Sequence, residues 1–187
     1  ASAKLSFGLR AVSRSTLEDY VALCKGKDVR FDAITFFEVL EHQDQPSLFL
    51  SQVLELLQSD GYVAGSVPNA NRFLASVDRR ISAGDLPPHH FLWFSQKTLE
   101  NFLRGKGLDS ILVYPSGNIP FVELKMKATR LVHAMLHLNQ GRPIERLMQR
   151  LVSPIVLLAA AVLWTGYRVH PAHLYFQARA SHGVDKP

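Results

Sequence analysis

The sequence predicts an α/β fold, a parallel sheet with helices on its faces, and three observations carry that expectation. Strand-like and helix-like patterns alternate through the first 120 residues with short connections, the arrangement that yields parallel strands joined by crossover helices. One apolar, β-rich run, Phe31 to Phe37, leads straight into titratable residues, and in such sheets ligands bind beyond the carboxyl ends of the strands. Finally, 187 residues that are 47% hydrophobic and 20% charged suffice for one domain with a sizeable core and one appended element. Disorder of the chain as a whole is excluded.

Each element has a local reason. Leu9-Arg-Ala-Val-Ser13 is a short apolar run that predicts a first strand, and Thr16 to Leu23 predicts one or two helical turns. Ile34, Phe36 and Phe37 are β-branched or aromatic residues of the kind that fill a central strand. Pro46 to Ser59 predicts a helix, because Pro suits the first turn and Phe49, Val53, Leu56 and Leu57 fall on one face. Asp60-Gly61 is expected to end it. Tyr62 to Val67 predicts a second strand, closed by Pro68-Asn69. Ser95 to Lys106 predicts an amphipathic helix with Ser95 as cap, Leu99, Phe102 and Leu103 inward, and Gly105 or Gly107 as stop. Asp109 to Tyr114 predicts a third strand.

After Pro120 the character changes. Leu124, Ala128, Leu131, Met135 and Leu138 mark one apolar helical stripe, and Ile144, Leu147, Met148, Leu151 and Val152 mark another. Ile155 to Trp164 is a run of ten apolar residues, short of the roughly 20 that a spanning helix needs. His173 to Arg179 alternates well enough for a last strand, expected at the edge of the sheet. The boundaries read from these patterns are a sheet domain over 1–119, a basic and apolar helical insertion over 120–170, and a final strand and tail over 171–187.

Charge and cysteine content narrow the partners. Of the net charge of +5, residues 121–150 supply +4, from six basic residues against Glu123 and Glu145. Such concentration points to a local partner surface rather than a generally basic protein. A cationic face followed by an apolar stretch with Trp164 and Tyr167 suits an anionic membrane surface, and packing on the protein's own domain or on a second subunit is the competing reading. Nucleic acid is disfavoured, because the basic residues alternate with Leu and Met rather than with aromatic stacking residues. The single Cys24 excludes an internal disulfide and fits a reducing compartment. No secretory signal opens the chain, so the expected location is cytoplasmic, at or near the inner face of a membrane.

The chemistry concentrates after the first long strand. Phe31-Asp-Ala-Ile-Thr-Phe-Phe-Glu-Val-Leu-Glu-His42 contains the spacing Glu-x-x-Glu-His. On the first turn of a helix Glu38 and Glu41 share a face and His42 lies one turn from Glu38, so the three groups can converge on a metal ion. His42 as a general base without metal is the second reading, and helix capping and cleft lining the third.

This stretch, together with Leu54-Glu-Leu-Leu-Gln-Ser-Asp-Gly-Tyr62, Ser66-Val-Pro-Asn69 and Asp85-Leu-Pro-Pro-His-His-Phe-Leu-Trp-Phe-Ser95, resembles the second half of class I S-adenosylmethionine-dependent methyltransferases, most of all the ubiquinone-biosynthesis O-methyltransferase branch. The resemblance covers about residues 5 to 119 and the last strand. It implies a Rossmann-like methyltransferase sheet, S-adenosylmethionine as cofactor, and methylation of an oxygen on a small or lipid-like acceptor. Residue by residue it implies cofactor contacts at Thr16, Leu17, Phe37 and Glu38, and catalysis by His42 with Glu41.

A similar Glu-x-x-Glu-His with a downstream His binds a divalent metal in small-RNA 2′-O-methyltransferases and in some ubiquinone-pathway enzymes. That likeness implies Glu38, Glu41, His42 and His89 as ligands for Mg, Mn or Zn, and leaves an RNA 2′-O-methyltransferase as a further alternative. The family's glycine-rich loop precedes its fourth strand by many tens of residues. Only 30 residues precede Phe31 here, and they contain no Gly-x-Gly. An incomplete sheet, truncated at the N-terminus, is therefore expected, and a non-catalytic fragment that binds a membrane or protein partner through its basic helices is the alternative.

Overall fold

The computed structural model describes residues 13–27, 29–81, 87, 89–116, 124, 126, 128–129 and 143–181, with the backbone path alone at 78, 81 and 143–153. The expected strand at 9–12 and most of the basic segment over 121–142 lie outside these residues.

The described elements run α1 (Leu17–Lys25), β1 (Phe31–Phe37), a 3₁₀ turn (Leu40–His42), α2 (Pro46–Glu55), β2 (Leu57–Pro68), α3 (Ala75–Ile81), α4 (Gln96–Arg104), β3 (Leu108–Ser116), α5 (Pro143–Val169) and β4 (His173–Ala180). The strands form one sheet in the order β1-β2-β4-β3. β1 lies parallel to β2, while β4 is antiparallel to both of its neighbours. β1, β2 and β3 therefore all point the same way, as the alternating pattern predicts, with β4 inserted between the second and third.

That insertion corrects one expectation. β4 is not an edge strand, because Leu174, Phe176 and Ala178 alternate into the core and its register runs continuously along β2, from Tyr62 opposite Arg179 to Pro68 opposite His173. Period-2 alternation identifies a strand but carries no information about its neighbours. The converse correction falls on β1. Among the described residues it is an edge strand, with only Phe36 buried and Asp32, Ala33, Thr35 and Phe37 exposed.

Caps and spacing explain the helices. Thr16 caps α1 by accepting from the Asp19 N–H at 3.2 Å, and the Val21 and Cys24 side chains pack against Leu56. In α4, Ser95 and Thr98 exchange side-chain and backbone hydrogen bonds at 3.2 and 2.8 Å, a capping box that fixes the start of the helix. Leu99 and Leu103 are then fully buried, as their spacing predicts. α2 ends at Glu55, four residues earlier than expected; Leu57 enters the main core from β2, and Leu56, in the turn, packs against Val21 and Cys24 of α1. Asp60-Gly61 does not terminate a helix. The pair sits in an irregularity where the pairing slips between Phe31 opposite Leu57 and Ala33 opposite Tyr62, with Asp60 in the left-handed region at φ 68°. A turn-forming dipeptide serves a β-bulge as well as it serves a helix stop.

The main core joins Phe36, Leu40, Leu50, Val63, Val67 and Leu99 with the inward residues of β3 and β4. Gly65 in β2 allows close packing at its centre, since a Cβ there would collide with the Phe36 carbonyl and press on the Phe176 ring. A second cluster lies beside the sheet, where Val156, Ala160, Leu163 and Tyr167 of α5 meet Leu124, Ala128 and Ala172. α5 is one continuous helix of 27 residues, about 40 Å long. The expected amphipathic stripe over 144–152 and the apolar run over 155–164 belong to the same helix, which passes through Pro154. Among the described residues no helix is long and apolar enough to cross a membrane.

Candidate active site

The carboxyl ends of β1 and β2, the N-terminus of β4 and the loop before α4 meet at one end of the sheet. Phe37, the last residue of β1, pairs with Ser66, and Pro68 pairs with His173. Asn69 fastens this end: its N–H donates to the Ala172 carbonyl at 2.8 Å, its side-chain amide donates to the Pro171 carbonyl at 3.0 Å, and Ala70 N–H donates to the Phe94 carbonyl at 2.8 Å. The Ser66-Val-Pro-Asn69 segment thus clamps this end of the sheet.

Glu38 follows β1 with φ 53°, a left-handed conformation unusual for a residue with a Cβ, and its N–H donates to the Ser66 carbonyl at 3.0 Å. The half-buried carboxylate accepts from Ser66 Oγ at 2.6 Å and lies 3.3 Å from His173 Nδ1, both contacts falling on Oε1. Burial alone would raise its pKa, but the hydrogen bonds from His173 and Ser66 and the nearby charge of His173 and His90 outweigh it. The net shift is downward, so Glu38 is held ionised.

Glu41 has the opposite environment. On the 3₁₀ turn its side chain is 1% exposed, and no described residue donates a well-directed hydrogen bond to either carboxylate oxygen. Burial pushes its pKa up to about 7, and the charge of Glu38 adds to the rise. Its own backbone N–H and the imidazoles of His42 and His173 offset the rise only in part. Two carboxylates three positions apart are therefore separated in acidity by what surrounds them.

His42, exposed at the mouth, completes the turn. Its Nδ1 is hydrogen-bonded to the backbone carbonyl of His89, and its Nε2 lies 3.7 Å from Glu41 Oε1. A carbonyl oxygen only accepts, so Nδ1 carries the hydrogen and Nε2 carries the lone pair of the neutral ring. The Phe91 and Leu92 N–H groups donate to the Glu41 carbonyl at 2.9 and 3.3 Å, which pins the loop before α4 onto the turn. The His90 ring stands edge-on to His42 with centroids 4.8 Å apart. One ligand atom from each of Glu41, His42 and His90 lies within 4.8 Å of the others.

The residues named from sequence divide accordingly. Glu38, Glu41 and His42 do converge, but on two sides of the turn: Glu38 faces Ser66 and His173, whereas Glu41 faces His42 and His90. His89 is exposed and contributes its backbone carbonyl to His42, while the imidazole that lies near His42 and Glu41 is that of His90. In Pro87-Pro88-His89-His90 the spacing to the aromatic residues does not distinguish the two imidazoles. Thr16 serves as the cap of α1 and Leu17 packs on the core, and no described contact joins either to the Glu38 cluster. Phe37 is 57% exposed at the strand end. His173 and Ser66 were not expected here. Neighbouring strand order was the missing signal, since a β4 placed beside β2 puts His173 opposite Pro68.

Comparison with known proteins fits this architecture. The family described as Methyltransferase domain matches residues 8–113, and the chain belongs to that family. Among solved structures the fold is similar to a SAM-dependent methyltransferase from Archaeoglobus fulgidus, with a TM-score of 0.50 at 15% identity, covering 94% of this chain and 70% of that one. It is also similar to a SAM-dependent methyltransferase from Thermotoga maritima, with a TM-score of 0.50 at 12% identity, covering 82% of this chain and 59% of that one. At these identities the likeness is one of fold, and this chain spans less than two thirds of the Thermotoga protein. Among curated proteins, no sequence matches this one.

Proposed function

We propose that the chain carries the acceptor side of an S-adenosylmethionine-dependent methyltransferase that methylates an oxygen of a small or lipid-like molecule, in the manner of the ubiquinone-pathway O-methyltransferases, with His42 as general base. The observation that carries this reading is the hydrogen bond of His42 Nδ1 to the His89 carbonyl, which leaves Nε2 3.7 Å from the buried Glu41 carboxylate.

Methyl transfer to a hydroxyl proceeds by displacement at the methyl carbon, and the protein's task is to align the acceptor and remove its proton. Nε2 takes that proton. The imidazolium so formed gains an ion pair with Glu41, whose oxygens receive no well-directed hydrogen bond from another described residue beforehand. Glu41 thus favours the charged state of His42 that arises during the reaction.

S-adenosylmethionine, when bound, supplies the electrophilic methyl group on a sulfonium. Its methionine end is cationic, and a carboxylate held ionised beside an exposed aromatic ring suits such a group; Glu38 and Phe37 are the residues assigned to it. Thr16 and Leu17 are assigned to the adenine side on the family resemblance alone.

A divalent cation is a second reading, favoured by the mutual approach of Glu41, His42 and His90. Two imidazoles and a carboxylate are a suitable donor set for zinc or manganese, and an ion held there would acidify a bound hydroxyl. The His42-to-Gln variant separates the base role from mere architecture. Under the proposal it binds labelled S-adenosylmethionine like the parent protein but transfers its methyl group to a phenolic acceptor about 10²- to 10⁴-fold more slowly. No cofactor binding by the parent protein would sink the enzyme reading and leave the non-catalytic alternative. Added zinc or manganese that changes the parent rate, and not that of the His90-to-Ala variant, would select the metal reading.

A further inference from the structure

The outward face of α5 is apolar where a helix in water carries charge. Val156, Ala160, Leu163 and Tyr167 point into the second core cluster and are at most 7% exposed. On the opposite side Ile155, Leu158, Val162 and Val169 are 53%, 69%, 56% and 68% exposed. Leu157 and Trp164 flank them at 47% and 48%. From Ile155 to Tyr167 the helix contains no charged residue at all. The core already uses one half of this helix, so packing within the described fold does not explain the apolar character of the other half.

Charge identifies the occupant. Cations bracket the apolar face: Arg168 lies at its C-terminal end with the guanidinium 4.8 Å over the Trp164 ring, and Arg146 and Arg150 precede it. Arg168 and Trp164 lie one helical turn apart on the described part of α5. The preceding sequence adds Lys125, Lys127, Arg130 and Arg142. An aliphatic face with Trp164 and Arg168 at its border, preceded in sequence by a run of basic residues, matches a surface that is apolar inside and anionic at its rim. A second copy of the chain fits poorly, because it would supply no anionic partner for Arg168 and the basic residues that precede the face.

We propose that α5 docks the protein in the plane of an anionic phospholipid membrane, with Ile155, Leu158, Val162 and Val169 entering the boundary between headgroups and acyl chains and the arginines meeting the phosphates. The docking is independent of methyl transfer. It would also bring a lipid-like acceptor to the same surface as the enzyme.

Vesicle sedimentation with the full chain tests it. Vesicles of phosphatidylglycerol and phosphatidylcholine are expected to carry the protein down and pure phosphatidylcholine vesicles to leave it in solution, with binding falling as salt rises. The Leu158-to-Glu, Val162-to-Glu double variant is expected to partition about tenfold more weakly or worse. Because these positions are exposed, its circular dichroism should match the parent. Trp164 fluorescence is a second readout: it should shift to the blue with anionic vesicles, and the shift should vanish in Trp164-to-Phe. Equal or absent binding to both vesicle types, or full binding by the double variant, overturns the proposal. A concentration-dependent dimer in light scattering that the double variant abolishes, without vesicle binding by the parent, overturns it in favour of a second copy.

Discussion

His42 is tied through Nδ1 to the backbone carbonyl of His89, a residue whose ring takes no part in the cluster, while the ring of the next residue, His90, closes on it. The adjacent histidines thus have separate roles. One fixes a tautomer with its main chain and the other adds an imidazole.

That division predicts unequal effects of substitution. His89-to-Ala keeps the carbonyl and should leave methyl transfer within about twofold of the parent, a change on the scale of a neutral surface substitution. His90-to-Ala removes a ring from the cluster and should lower activity by about tenfold or more if that ring orients His42 or a bound ion. Equal losses in the two variants would contradict the assignment. Steady-state rates with a common phenolic acceptor decide it.

Glu41 makes stability depend on pH in a defined direction. Its ordinary pKa is 4.5 and its folded value is about 7, so between these limits the folded chain holds a proton that the unfolded chain has released. Stability must fall as pH rises from 4.5 to 7, and the full penalty stands above 7. The scale is on the order of 3 kcal/mol, from about 1.4 kcal/mol per unit of difference. Glu41-to-Gln should flatten this slope and be the more stable protein at pH 8, which urea unfolding at several pH values measures.

Glu38 titrates with the opposite sign. Its folded pKa is depressed below 4.5, so its contribution is present above that value and disappears as the solution is acidified through the folded one. Ser66-to-Ala removes a hydrogen bond to a charged oxygen and should cost about 1–2 kcal/mol at neutral pH. The loss should shrink once the solution is acid enough to protonate Glu38 in both proteins. An unchanged cost at low pH would show that packing, and not the ionised carboxylate, is responsible.

Gly65-to-Ala should be among the most damaging single-atom additions in the sheet. The new methyl group would meet the Phe36 carbonyl, which is backbone and cannot swing away, and the Phe176 ring. A loss of about 2–4 kcal/mol is expected, on the scale of overpacking with strand displacement. Gly105-to-Ala is the control: its nearest contact would be the Asn101 carbonyl at 3.3 Å, at the end of α4. Thermal melts of the two variants should differ by several degrees.

The sequence was most legible where a pattern has one cause. Apolar runs at Phe31–Phe37 and Tyr62–Val67, the Ser95 cap and the inward Leu99 and Leu103 all stand where spacing predicts them. It misled where one signal has two causes. Asp60-Gly61 fits a helix stop or a bulge, and alternation in His173–Arg179 fits an edge or a central strand. Glu38, Glu41 and His42 were found because they are contiguous. His173 and Ser66 escaped because their meeting with Glu38 depends on strand order, which lies between distant segments and leaves no local mark. Glu38 was also read as the partner of Glu41, although its left-handed backbone turns it toward β2 instead.

The position of β4 has a consequence for assembly. The strand that holds β2 and β3 together occupies residues 173–180, so it leaves the ribosome after both of its neighbours. Until then β3 has no bonded partner in the described sheet, and β2 must wait with the edge that β4 will cover unsatisfied. Folding is thereby gated by a late, long-range closure, the kind of step that slows folding and exposes intermediates to aggregation. A chain that lacks residues 173–180 would therefore hold β1 and β2, with the turn that bears Glu41 and His42, as one piece and β3 as another.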